Sequence, residues 1–174
     1  GDQIAENLGA QFEGHCVLSD AKVPGNENRI QKVYSALFNA MACGRGVIEA
    51  GLLSVDEVCS PIQMILDDEI TGAINHIIRG FAVEEETLAL ETIHDVGAGG
   101  NFFDNEHTAL HFRQTLWETT LWSREMKNIW EMQGRKIDID NAREKFVSIV
   151  EEETEFESSI STEAEKALMK IIEN

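Results

Sequence analysis

Apolar positions alternate along the first third of the chain between helical and strand-like spacing, and after that keep helical spacing alone. Ile4, Leu8 and Phe12 recur every four residues and predict a short helix over 2–12 that Gly14 stops. His15-Cys16-Val17-Leu18 is a brief apolar run that empties through Ser19-Asp20-Ala21-Lys22 into Pro24-Gly25, the profile of a buried strand followed by a loop. Ile30, Val33, Tyr34, Leu37, Phe38 and Met41 then mark one face of a long helix, with Asn26 or Asn28 as its cap and Gly44 as its end. Gly46 to Gly51 reads as a second strand bounded by glycines. Pro61 to Leu66 reads as a third, weaker one running into Asp67-Asp68-Glu69. Helix and strand in alternation predict the α/β class, built from parallel βαβ units.

Beyond Leu66 the strand signal disappears. Ile70, Ala73, Ile74, Ile77 and Ile78 share a helical face, and Leu88, Thr92, Ile93 and Val96 fit a helix stopped by Gly97. Met126, Ile129 and Trp130 fit one stopped by Gly134, and Ile139, Ala142, Phe146, Ile149 and Val150 another. Thr162 and Glu165 stand at capping-box spacing at the head of a last helix reaching Ile172. The expected organisation is a partial β/α region over 1–80, with about three strands, and a helical region over 81–174 in the same domain. A chain of 174 residues with 43% hydrophobic content supplies one core. It is shorter than the roughly 250 residues of a complete eight-stranded barrel.

Composition narrows the partners. Fourteen basic against 32 acidic side chains give a formal net charge of -18, which repels a nucleic-acid backbone. Glu151, Glu152, Glu153, Glu155, Glu157, Glu163 and Glu165 crowd one stretch, expected to be a solvated helix or tail without chemistry. Cys16, Cys43 and Cys59 are odd in number and widely spaced, so neither a disulfide framework nor a structural metal site is expected, and a reducing cytoplasm is the default compartment. No apolar run approaches a membrane span, and no secretory leader is evident.

Reactive groups in parallel β/α architectures gather where strands end. That rule selects Ser19, Asp20 and Lys22 after the first strand and Glu49 at the end of the second. Asp20 and Lys22 also suit a plain loop-capping pair. Glu49 lies among Val47, Ile48, Leu52 and Leu53, where a buried carboxylate needs a partner, either a cationic ligand or the neighbouring Arg45. His107 and His111 are four residues apart on a predicted helix, a spacing that can share a metal, but further ligands are not evident and packing within the helix is the expected role. Gly97-Ala98-Gly99-Gly100-Asn101 follows a helix rather than a strand and lacks a downstream Lys-Ser/Thr, so it reads as a sharp turn and not a phosphate loop. Phe102, Phe103, Phe112, Trp117, Trp122 and Trp130 are expected to form a satellite core. Some of these rings could instead cage a quaternary ammonium, at about 0.5 to 2 kcal/mol per ring.

Five segments in order carry a resemblance: Ser19-Asp20-Ala21-Lys22, then Leu66-Asp67-Asp68-Glu69-Ile70 with Gly72, then Glu86-Thr87-Leu88-Ala89, then Val96 to Phe102, then His107-Thr108 with His111-Phe112-Arg113. From about the first helix to the Phe146 helix the chain resembles the C-terminal half of the trimethylamine methyltransferase family, with the glutamate-rich tail outside the match. The resemblance implies the C-terminal part of a TIM (β/α)8 barrel followed by a helical extension. It implies transfer of a methyl group from trimethylamine or a betaine-like quaternary amine to the Co(I) of a corrinoid (cobalamin) carried by a cognate partner protein, with no cofactor bound directly. Some members hold pyrrolysine; only standard residues occupy His15 to Ser19, which implies the group without it. Where many relatives carry a His-Asp pair, this chain has Glu49-Ala50, a carboxylate suited to an ammonium group. Ser19, Asp20, Lys22 and Glu49 are therefore the expected substrate-binding residues. The alternative is a non-catalytic α/β fragment that forms a homo-oligomer through an open barrel edge.

Overall fold

The computed structural model describes residues 2–10, 15–16, 18–43, 47–152 and 160–172. The expected roles of Gly14, Val17, Gly44, Arg45, Gly46, Glu153, Glu155 and Glu157 lie outside the described residues.

Helix α1 (Asp2–Asn7) is shorter than its apolar spacing predicts, because the chain turns left-handed at Gly9, φ 64°. Strand β1 (His15–Cys16) and strand β2 (Val47–Ile48) pair in parallel, His15 opposite Val47 and Cys16 opposite Ile48, and α2 (Asn26–Cys43) connects them. This is the predicted βαβ unit and places the chain in the α/β class. A hairpin follows that the sequence does not announce: β3 (Leu52–Leu53) lies antiparallel to β4 (Val58–Cys59). Its loop, 54–57, opens with two successive left-handed residues, Ser54 (φ 50°) and Val55 (φ 64°), neither of them glycine.

The expected third strand is a helix. Helix α3 (Pro61–Arg79) begins at Pro61, with the Ser60 hydroxyl accepting the Gln63 N–H at 3.2 Å and Gly80 (φ 63°) closing the other end. Pro at the first helical position after a Ser cap is a start signal, and it outweighs the local apolar run. Two apolar clusters flank α3. On one side Ile70 and Ile74 pack on Ala36 of α2; on the other, Leu66 packs with Leu121 and with Ala142 of α8 (Asp138–Glu152).

Helix α2 forms where predicted, but it turns its apolar stripe outward. Ile30 (66% exposed), Tyr34, Phe38 (74%) and Met41 face solvent, while Asn28, Lys32, Ala36 and Asn39 are buried. Neither Asn26 nor Asn28 acts as a cap: the helix starts at Asn26, the Arg29 N–H bonds the Gly25 carbonyl, and both polar atoms of the Asn28 side chain lack a partner.

The rest of the described chain is helical, with α4 (Glu85–Leu88), α5 (Leu90–Val96), α6 (Glu106–Thr115), α7 (Lys127–Met132), α8 and α9 (Thr162–Ile172). Ala89 at φ 51° divides the helix expected around Leu88 to Val96 into two. The cap of α9 is Ser161, whose carbonyl and hydroxyl accept the N–H groups of Glu165 and Ala164, one residue ahead of the predicted Thr162. Among the described residues the expected satellite core of aromatic rings does not form: Phe103, Phe112 and Phe102 are exposed, as is Trp122, while Trp117 and Trp130 are half-buried. Described residues of the glutamate-rich stretch are exposed, as expected of a solvated segment.

Candidate functional site

Parallel pairing puts the C-terminal ends of β1 and β2 on one side, so the segments carrying Ser19, Asp20 and Lys22 and that carrying Glu49 leave the sheet together. Backbone bonds join the first of these to the hairpin after Glu49: the Ser54 N–H donates to the Ala21 carbonyl and the Val55 N–H to the Ser19 carbonyl, each at 2.8 Å. These two bonds hold the left-handed turn, where Val55 is β-branched and the conformation unfavourable.

The four expected residues divide into two roles. Ser19 is buried, donates to Gln31 Oε1 at 2.8 Å and accepts the Ala21 N–H, while the Asp20 N–H donates to the same Gln31 oxygen. Lys22 Nζ donates to the Asp20 carbonyl at 2.7 Å. Ser19 and Lys22 thus bond within and beneath the loop, and the Lys22 bond to the Asp20 carbonyl fits the plain loop-capping role expected of that pair. Asp20 is exposed and Glu49 half-buried.

Beneath this edge lies a buried polar cluster that strand-end reasoning did not find. Lys32 and Asp67, both wholly buried, form an ion pair at 2.6 Å. Asp67 also accepts the Gly51 N–H at 2.8 Å and Gln63 Nε2 at 2.7 Å. One carboxylate therefore joins α2, α3 and the segment just after Glu49. The available signal was the helical spacing of Asn28 with Lys32 and of Gln63 with Asp67, polar pairs on two faces that must meet.

The remaining motif residues have structural partners. Glu69, 4% exposed, accepts Trp117 Nε1, the Thr120 N–H and, at 2.6 Å, the Thr120 hydroxyl. Burial pushes the Glu69 carboxyl up, but hydrogen bonds from the Thr120 and Thr119 side chains, the Thr120 backbone and Trp117 together outweigh it, leaving the group below its ordinary value. Gly72 makes room for the Trp117 ring, since a Cβ there would stand 2.3 Å from the indole. Glu86 holds both histidines of the H-x-x-x-H pair, its carbonyl 2.8 Å from His107 Nε2 and its carboxylate 3.5 Å from His111 Nε2. Among the described residues no three metal-ligating side chains gather at one point. Gly97 (φ 68°) and Gly99 (φ 80°) make the predicted turn, and a Cβ at Gly100 would meet the Val96 carbonyl at 2.3 Å.

Two open cavities, of about 970 and 580 Å³, lie along α6 and the Trp117 segment, and none of Ser19, Asp20, Lys22 or Glu49 lines either. No described helix is long and apolar enough to cross a membrane.

Fold and site together define an α/β protein in which the segments carrying Ser19 to Lys22 and Glu49 follow the C-terminal ends of two parallel strands. Its sequence matches the trimethylamine methyltransferase family over residues 2–174, and the chain belongs to that family. The match includes the glutamate-rich tail, which the motifs alone had left outside. The chain is 31% identical over 135 residues to a trimethylamine methyltransferase of Desulfitobacterium hafniense, covering 78% of this chain and 27% of that protein. A trimethylamine methyltransferase of Methanosarcina mazei is 32% identical over 132 residues, 76% of this chain and 26% of the relative. A glycine betaine methyltransferase of Desulfitobacterium hafniense is 32% identical over 133 residues, 74% of this chain and 27% of the relative. The chain spans about a quarter of the length of these relatives.

Proposed function

We propose that the chain works as part of a methyltransferase that takes a methyl group from trimethylamine or a betaine-like quaternary amine and delivers it to a corrinoid carried by a partner protein. In this reading β1, α2 and β2 are one unit of a (β/α)8 barrel, with Asp20 and Glu49 on its mouth. The observation that carries the reading is the parallel pairing of β1 with β2, after whose C-terminal ends the segments of Asp20 and Glu49 follow, in a chain of this family. The apolar stripe exposed along α2 supports it too, since barrel helices are flanked by neighbours that such a stripe would meet.

The corrinoid supplies a Co(I) nucleophile. The donor nitrogen, quaternary in a betaine or protonated in trimethylammonium, would give up the methyl carbon to that nucleophile and leave with the bonding electron pair as a neutral amine. Glu49 and Asp20 hold the ammonium by charge attraction in a desolvated mouth, and Ser19 and Lys22 keep the loop in place through Gln31 and the Asp20 carbonyl. Position and electrostatics are the protein's contribution; no covalent nucleophile is needed.

The test uses the full-length protein with its corrinoid partner reduced to Co(I), offering trimethylamine and glycine betaine in turn. Loss of the Co(I) absorbance with one donor is the expected result, and no loss with either overturns the reading. Glu49→Gln should raise KM for that donor about tenfold or more, the worth of one charge-assisted contact.

A further inference from the structure

Asn28, at the first turn of α2, is wholly buried, and neither its Nδ2 nor its Oδ1 has a hydrogen-bond partner. Gln63, at the first turn of α3, is also wholly buried; its Nε2 donates to Asp67, but its Oε1 has no partner. Polar atoms left this way are costly, and native interiors rarely keep them.

The register of the helices puts both amides at the same end of the α2–α3 contact. Lys32 meets Asp67, and further along each helix Ala36 packs with Ile70 and Ile74, so α2 and α3 run in the same direction. Asn28 precedes Lys32 by four residues and Gln63 precedes Asp67 by four, so each amide stands one turn before the ion pair on its own helix. Lys32 adds to the set, because among the described residues its Nζ donates only to Asp67 and two N–H groups remain.

We propose that these groups form an internal hydration site, a water held between the first turns of α2 and α3 by Asn28, Gln63 Oε1 and Lys32. Burial excludes a side chain arriving from outside, since Asn28, Lys32, Gln63 and Asp67 are all 0% exposed. Charge excludes an ion: Asp67 balances Lys32 and Asp138 balances Arg29, leaving no net charge for an ion to meet. The open positions include both donors and acceptors, and water, being both, can satisfy them at once. Because Asp67 also holds the Gly51 N–H, the network runs from the two helix starts to the segment just after Glu49. Asn28 and Gln63 are then positioning residues for that segment.

The inference does not depend on methyl transfer, and its test reads the water directly. A high-resolution crystal structure of the full chain should show one ordered water within hydrogen-bond distance of Asn28 and Gln63 Oε1, and water-to-amide NMR cross-peaks should appear at the start of α3. Asn28→Leu should abolish both and speed hydrogen exchange at the Gly51 amide, while Asn28→Ser should retain the water. The native protein decides the matter even where Asn28→Leu does not fold. Direct bonding between the two amides with no density between them, or unchanged cross-peaks in a folded Asn28→Leu, overturns the proposal.

Discussion

Helices α2 and α3 have nearly the same length, 18 and 19 residues, and lie side by side, yet they meet their surroundings in opposite ways. Helix α3 buries a mixed face, Leu66, Ile70 and Ile74 together with Gln63, Asp67 and Glu69, and is packed on both flanks. Helix α2 buries Asn28, Lys32, Ala36 and Asn39 and exposes Ile30, Tyr34, Phe38 and Met41. At 3.6 residues per turn those two sets lie on opposite sides of the helix. Apolar periodicity therefore identifies α2 as a helix without saying which side it buries. A polar grip, with Ala36 and Ala40 small enough for close approach, decides the contact between the two helices.

The sharpest way to break the comparison is to cut that grip. Asp67→Ala leaves Lys32 charged and buried with no counter-ion, and also strips partners from Gly51 and Gln63. A loss of about 3 to 5 kcal/mol is expected in urea unfolding. The paired change Lys32→Met with Asp67→Leu should recover most of it, because well-packed apolar residues can replace a buried ion pair. A single change costing under about 1 kcal/mol would mean that the apolar clusters, and not the ion pair, set the α2–α3 contact.

The outer flank of α3 offers the next effects. Glu69→Ala leaves Trp117 Nε1 and the Thr120 hydroxyl without their acceptor and should cost about 1 to 3 kcal/mol, read by the same titration. The folded-state pKa of Glu69 lies below the unfolded one, so its contribution is fully present above the ordinary carboxylate value and is lost as pH falls through the depressed folded value. Acid titration of stability should therefore be flatter in Glu69→Gln than in the native chain; equal slopes would remove Glu69 from the acid response. Gly72→Ala drives a methyl into the indole of Trp117 and should cost a further 1 to 3 kcal/mol, roughly the penalty of overpacking. A smaller loss with Trp117 fluorescence unchanged would show that the ring moves aside freely.

The same contrast explains how far the sequence could be read. Spacing alone locates α2, α7, α8 and α9, since each has apolar residues three and four apart with a stop or start residue nearby. The βαβ unit is legible from its glycine and proline punctuation. Pro61 to Leu66 misleads because consecutive apolar residues blur the period, and the Ser60-Pro61 start signal is what resolves it. The β3–β4 hairpin is hidden: its strands have two residues each, and Ser54-Val55 is not a turn-forming pair. At the site, strand-end reasoning names Ser19, Asp20, Lys22 and Glu49 alike and does not foresee that Ser19 and Lys22 bond to Gln31 and the Asp20 carbonyl. Lys32 and Asp67 look like surface charges until the buried side of each helix is known.

The smallest expected effect is the one that sharpens the comparison most. Phe38→Ser and Ile30→Ser fall on the exposed stripe of α2, where they should change the stability of this chain by no more than about 0.5 kcal/mol. The same truncation of an aromatic in a packed core would cost about 3 to 5 kcal/mol, so a single urea titration separates the two cases. In the full-length protein the outcome should differ. If the stripe meets a neighbouring barrel element there, as the proposed fold requires, Phe38→Ser should cost several times more than in the 174-residue chain. Equal, small losses in both would leave α2 facing solvent in the longer chain and would count against the proposed place of α2 in a closed barrel.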